Sequence, residues 1–420
     1  MSSIFLNKNM YQKEILFFLI LYLTLIVSFF LGENSTGGAL GDYIEQKKIS
    51  QNFSSEFFST FYEYDKYGTR HSPVLIILLS FFEKINLPDN LIRLIHLHLS
   101  LLLPFLFYKC LILKFKEADK KILFFLSSLI FLSPTFRSLA IWPDSRLLGL
   151  ILFTLSVYCF IKFEVNKDFK FAIYNVIILA FSAYISPNFS VFSVFFLVKF
   201  IFSYGIFSKK IFSLVLLNIF LAFPAFFYVF VLDINFFLKS AAIGIEENKF
   251  FFNNLFNDVL ITFSIFFFYL IPFLFFKVIR LNNFLNIRNI LISLFIFSVC
   301  ILNFDYNYSY SGGGIFFKLS NFFFSNNYLF YLISFFSILI LYSLISTNYL
   351  NVFLFIIILL NNPQYTIYHK YFDPFLLIAF FTIFSFHINL NKIFHEKNYL
   401  FIFAYYLAFL ITSNLRIIYV

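Results

Sequence analysis

Apolar residues along this chain gather in long runs, separated by short polar stretches. A helix that crosses a bilayer needs about 20 such residues, within a tolerance of about 17–25. On that measure the runs predict spans near 15–31, 91–113, 121–138, 144–163, 171–187, 189–207, 211–232, 256–276, 289–303, 328–346, 349–362, 372–390 and 399–415. That makes about thirteen spans, of which 289–303 and 349–362 are the shortest. The apolar stretch 73–82 is too short to cross and reads as a helix lying in or dipping into the interface. The run at 15–31 is long for the apolar region of a signal peptide and lacks a small-residue cleavage site, so it reads as a first transmembrane helix. The predicted fold class is an all-α polytopic membrane protein whose first outer loop, 32–90, carries interfacial helices.

Composition agrees with this pattern. Of 420 residues 61% are hydrophobic and only 12% charged, whereas a soluble protein carries about 25% charged residues. With 11 Gly and 10 Pro, collagen-like and disordered classes are excluded. The 74 Phe, with abundant Ile, Asn, Lys and Tyr, fit an AT-rich coding background, so the aromatics carry no functional weight. Cys110, Cys159 and Cys300 lie in apolar runs without paired spacing and read as small buried hydrophobes.

The net charge of +10 is spread through short loops, which points to topology rather than to a nucleic-acid partner. With the N-terminus cytoplasmic, more than half of the 31 basic residues fall inside and most of the 21 acidic ones outside. This obeys the positive-inside rule and puts the C-terminus outside. The expected location is a bacterial inner membrane. Besides 32–90, two outward segments are sizeable, 233–255 and 303–327, the latter with a Gly312-Gly313-Gly314 run that reads as a flexible loop.

Charged groups at a membrane boundary are costly and therefore informative. In the first outer loop, Leu40-Gly41-Asp42-Tyr43 offers a carboxylate able to position or deprotonate an acceptor, or merely a solvated loop acid. Arg70 and His71, just before the short apolar helix, can meet an anionic headgroup, either a substrate's or an ordinary lipid's. Ser133-Pro134 and Arg137 end the third span, and Asp144 and Arg146 open the fourth. Asp144 with Arg137 and Arg146 reads either as a structural ion-pair cluster or as a carboxylate facing Asp42 across a cavity. His96 and His98, two apart on a helix, face different directions and make a poor metal pair. No ligand spacing specifies a metal, although Asp42 and Asp144 could share a divalent cation.

The order of these features resembles the GT-C glycosyltransferases, especially the branch of protein mannosyltransferases and aminoarabinose lipid A transferases. The matching elements are Asp42, His71-Ser72-Pro73-Val74, the stretch 86–94 with Arg93, Ser133-Pro134 and Asp144, covering residues 1–165. The first-loop motif reads Asp42-Tyr43 where that branch often has Asp-Glu. The resemblance implies a GT-C-like bundle, with a catalytic module at 1–232 and a variable module at 233–420. It implies transfer of a sugar from a polyprenyl-phosphate donor to a lipid, glycan or protein acceptor on the outer face, with inversion. Asp42 and Asp144 would then be catalytic, and Arg70, His71 and Lys370 would bind the donor phosphate. Arg137 and Tyr371 would position substrate. Lys370 enters because Tyr- and Lys-rich segments before a late span resemble the family's donor-phosphate positions; its plain reading is a snorkelling lysine in an aromatic belt. The competing functions are a lipid-linked oligosaccharide flippase, which would use charges deep within spans, and an O-antigen-type polymerase or ligase.

Overall fold

The computed structural model describes residues 2–69, 71–234, 254–281, 285–307, 312–362 and 366–419. Arg70 and most of the 233–255 segment lie outside the described residues. Among the described residues the chain is helical, and its only β pairing is an isolated antiparallel bridge between Ile279 and Ile388. Helix α1 (Ser2–Leu31) supplies the first span, and the segment after it folds into α2 (Ala39–Ser55), α3 (Phe57–Tyr62) and α4 (Pro73–Lys84). The 73–82 helix is therefore present. Ser72 caps its first turn and Pro73 fills the first position, where a missing N–H costs nothing.

Helices α5 (Asp89–Ser100) and α6 (Leu102–Lys114) together form one crossing. The next apolar run is broken: α7 (Lys120–Ser128) with its 3₁₀ extension stops at Leu132, and α8 (Pro134–Ile141) leaves at 65°. Pro134 has no N–H to continue the ladder, and Ser133 adopts an extended conformation and caps Phe136 N–H through Oγ at 2.9 Å. Next come α9 (Ser145–Asn166), α10 (Phe169–Ile185), α11 (Phe192–Tyr204) and α12 (Lys209–Phe226). The second half holds α13 (Leu255–Phe275), α14 (Ile287–Leu302), α15 (Gly314–Phe324), α16 (Tyr328–Ile345), α17 (Tyr349–Leu360), α18 (Phe375–Thr382) and α19 (Asn398–Tyr419).

Eight helices among the described residues are long and apolar enough to cross a membrane, or nine with the bent pair, against about thirteen expected. The shortfall is one of length. The segments Phe169–Ile185, Ile287–Leu302 and Tyr349–Leu360 are apolar but shorter, and the expected span 372–390 contains only the 8 residues of α18 as α-helix.

One apolar core runs from Leu21 to Leu410. Phenylalanine does much of the packing: Phe153 meets Phe189 and Phe192 with ring centroids 4.7 Å apart, and Phe375 closes on Phe192 at 5.7 Å. The outward face of α12 leaves Ile219, Phe220, Phe223 and Phe226 exposed, as a lipid-facing surface does. A contiguous apolar belt of this kind is not tolerated in water.

Candidate active site

Asp42 is not in a loop. It lies in the first turn of α2, where the helix dipole favours a negative charge. Helix α2 is held against α4 and α5 by Tyr43, Leu75, Leu79 and Ile92. It is also tied to Asp89, at the start of α5, by Tyr43 Oη at 2.6 Å and Lys47 Nζ at 2.7 Å. This aims Asp42 at the start of α9. There Asp144 caps the helix, accepting the Arg146 N–H at 2.7 Å on Oδ1.

The Arg146 side chain folds back to make a bidentate pair, Nε to Asp144 Oδ1 at 3.1 Å and Nη2 to Oδ2 at 2.9 Å. The same Nη2 donates to Asp42 Oδ2 at 2.7 Å. Lys370 Nζ completes the cluster, 3.3 Å from that Asp42 oxygen. Two carboxylates and two cations thus balance, drawn from α2, the head of α9 and the segment before α18. Tyr371 lies with its ring 5.4 Å from the Arg146 guanidinium. His71 is buried and close enough to favour the charged form of both carboxyls. Its neighbour Ser72 is anchored by donation to the Tyr184 carbonyl.

Burial alone would raise both carboxyls. For Asp42 the charges of Lys370 and Arg146 outweigh it; for Asp144 the charge and hydrogen bonds of Arg146 do. Both are held below the ordinary carboxylate range. Depressed folded-state values mean that the stabilisation is complete above the unfolded carboxylate range and is lost as pH falls through the folded values. Thermal unfolding of the purified chain in detergent should therefore show a loss of stability below about pH 4. Asp144→Asn should flatten that acid fall, and an unchanged acid limb in the variant would remove the cluster from the account.

Four tethers deliver Lys370 to this place. Asp373 Oδ2 accepts from Ser133 Oγ at 2.6 Å and from Thr135 N–H at 3.0 Å, at the N-terminus of α8 that the Ser133-Pro134 break created. His369 Nε2 meets Tyr269 Oη of α13 at 3.0 Å. The Gly313 N–H donates to the Ile367 carbonyl at 2.8 Å. The glycine run is thus a packed turn rather than a loose loop. Gly312 has φ +101°, and a Cβ there would sit 2.6 Å from the Ile367 oxygen.

The remaining expected residues go elsewhere. Arg137 is outside the cluster. Its Nε donates to both Glu33 oxygens at 3.1 and 3.0 Å, and its terminal nitrogens reach Thr24, Phe131 and Ser28. With its donors spent, it fastens the end of α1 to α8. The Glu33 carboxyl, raised by burial, is brought below its usual range by Arg137. Arg93 stacks 3.7 Å over Trp142 and donates Nε to the Ile141 carbonyl at 3.2 Å. His96 bonds the Leu139 carbonyl at 2.9 Å, whereas His98 bonds Tyr22 at 2.9 Å. Lys199, within the expected span 189–207, pairs with Glu164 at 2.9 Å.

Arg146 is the central residue that sequence reasoning treated only as an ion-pair partner. Its signal was a cation two positions past Asp144, at the start of a largely apolar run. It also decides the metal question. Its guanidinium lies within 2.7 and 2.9 Å of the two carboxylates, in the position a shared divalent cation would take. The pair does not fit a metal while Arg146 stands there. No group of three or more His, Cys, Asp or Glu side chains gathers to hold an ion among the described residues.

Beside Lys370 and Arg146 lies a small pocket of about 30 Å³, walled by residues of α8, α9, the turn after α10, Asn361 and Asn362, and residues of the stretch 370–375. Compared with protein-family profiles, curated proteins and solved structures, the chain matches none.

Proposed function

We propose that this chain is a membrane glycosyltransferase of GT-C type that moves a sugar from a polyprenyl-phosphate donor to a lipid, glycan or protein acceptor at the outer membrane face. The observation that carries this reading is the meeting of Lys370 and Arg146 on one oxygen of Asp42, with Asp144 behind them. A transferase of this kind needs a carboxylate beside cations at the membrane boundary, and the cluster supplies both.

The chemistry follows from the geometry. The donor's phosphodiester competes with Asp42 for Lys370 and the guanidinium of Arg146. Relieved of Lys370, the Asp42 carboxylate becomes more basic and accepts the proton of the acceptor hydroxyl. The acceptor oxygen bonds to the anomeric carbon as the bond from that carbon to the phosphate oxygen breaks. The electron pair leaves on the phosphate, whose growing charge Lys370 and Arg146 stabilise. One displacement inverts the anomeric centre. Asp144 holds Arg146 in place throughout.

Two further observations favour this reading. Lys114, at the far end of α6, donates to the carbonyls of Thr382 and Phe384 at 2.9 and 2.8 Å, while Lys370 sits at the Asp42 end. The chain therefore runs from one end of the bundle to the other between residues 370 and 384, which favours a thirteen-pass count with short or irregular crossings. Lys199 is neutralised by Glu164 near a span end, so it lends nothing to a flippase path.

The test is reconstitution of the chain into vesicles with a panel of polyprenyl-phosphate hexoses and pentoses and a membrane-lipid acceptor fraction. Formation of a new glycosidic bond with release of polyprenyl phosphate is expected. Movement of intact lipid-linked sugar across the bilayer with no new bond would overturn the proposal.

A further inference from the structure

The pocket beside Lys370 is lined on its far side by Ser186, Asn188, Asn361 and Asn362. Asn361 and Asn362 are 3% and 5% exposed, and Asn188 Nδ2 donates to Asn362 Oδ1. Three buried atoms of its lining side chains have no hydrogen-bond partner: Arg146 Nη1, Asn361 Oδ1 and Asn362 Nδ2. An unmade bond in a buried site costs about 1–3 kcal/mol per group, so three in one pocket demand an explanation.

Their chemistry selects a ligand. Arg146 Nη1 and Asn362 Nδ2 can only donate, and Asn361 Oδ1 can only accept. A hydroxyl has two lone pairs and one proton, the complement of two donors and one acceptor. A phosphate or carboxylate has nothing to give Asn361, and an ammonium cannot accept from Arg146. The size agrees as well. About 30 Å³ admits one or two small polar groups and not a sugar ring.

We infer that this pocket is a specificity subsite that receives one neutral hydroxyl or hydroxymethyl group of the donor's sugar. The inference rests on the glycosyl-donor reading. In it, Lys370 holds the phosphate on one side while Asn361, Asn362 and the second nitrogen of Arg146 read the sugar on the other. Arg146 then links recognition to leaving-group stabilisation, since one guanidinium touches both.

The experiment measures binding to the full chain in lipid nanodiscs, by native mass spectrometry or calorimetry. The probes are short-chain polyprenyl phosphate, a panel of its hexosyl forms, and monodeoxy analogues of the tightest one. Wild type is expected to bind one hexosyl form about tenfold tighter than bare polyprenyl phosphate, and to lose that advantage with one monodeoxy analogue. Asn361→Ala and Asn362→Ala are expected to bring the two lipids within about twofold of each other, with affinity for the bare lipid unchanged. The deoxy series needs only wild type, so it decides the matter even where a variant fails to fold. Tight bare-lipid binding with no preference for any sugar overturns the subsite alone, as does a preference that survives both substitutions. If wild type binds neither lipid, or binds both with an affinity that Lys370→Ala leaves unchanged, the donor reading falls with it.

Discussion

Asp42→Asn is expected to lower the transfer rate about a thousandfold while leaving the fold intact. The amide keeps the shape of the side chain and can still accept from Arg146 Nη2, now 2.7 Å from Oδ2. It loses the charge and the ability to take a proton. Asp144 continues to neutralise Arg146, so no buried cation is stranded on that side. Lys370 loses the charge of Asp42, and with that competition removed its ammonium should hold the donor phosphate at least as tightly as before. The signature is therefore a fall in kcat with KM unchanged or lowered, which marks an interaction made in the transition state. Steady-state kinetics in reconstituted vesicles, with unfolding monitored on the same preparation, would check it. Transfer at the wild-type rate would end the assignment of Asp42 as base.

Arg146→Ala has the largest expected effect on stability. Asp144 is fully buried, and its Oδ atoms depend on Arg146 for two side-chain hydrogen bonds as well as the backbone one. Removing one partner of such a pair costs about 3–5 kcal/mol, because the other charge remains buried and unpaired. A loss of that size consumes much of a domain's net stability, so the variant should accumulate poorly or melt far below wild type. Asp144→Asn placed in the same chain should recover most of the loss, since no isolated charge is left behind. Activity should stay absent in the double variant, because nothing replaces the guanidinium at the phosphate. A single variant as stable as wild type would show that this ion pair does not hold α9 to α2.

These two residues mark the boundary between what was readable in the sequence and what was not. Asp42, Asp144 and Lys370 stood out because charge is scarce in a chain that is 12% charged, with Asp42 in the first outer loop and the other two at the edge of apolar runs. The break at Ser133-Pro134 was visible as a motif, but its consequence was not. The 65° turn exposes the first turn of α8, and Asp373, 240 residues from Ser133, accepts both the Ser133 hydroxyl and the Thr135 N–H there. Arg137 and Arg146 looked alike in the sequence, two arginines flanking one aspartate. One is consumed by Glu33 and fastens α1 to α8, while the other bridges two carboxylates. That division depends on which helix ends meet.

By itself the sequence determined that this is a multi-span helical membrane protein and which few polar residues its spans leave at their ends. The physical reason is that lipid imposes a one-dimensional rule: backbone polar groups must be satisfied within the segment, so apolar length alone marks a helix. Helix packing decided the rest. The Lys370–Asp42 pair joins residues 328 apart, and one pocket gathers Asn188, Asn361 and Asn362 with Arg146 in its wall. Such contacts depend on how helices bend, terminate and cross. That information is shared among all the segments and belongs to no single run of residues.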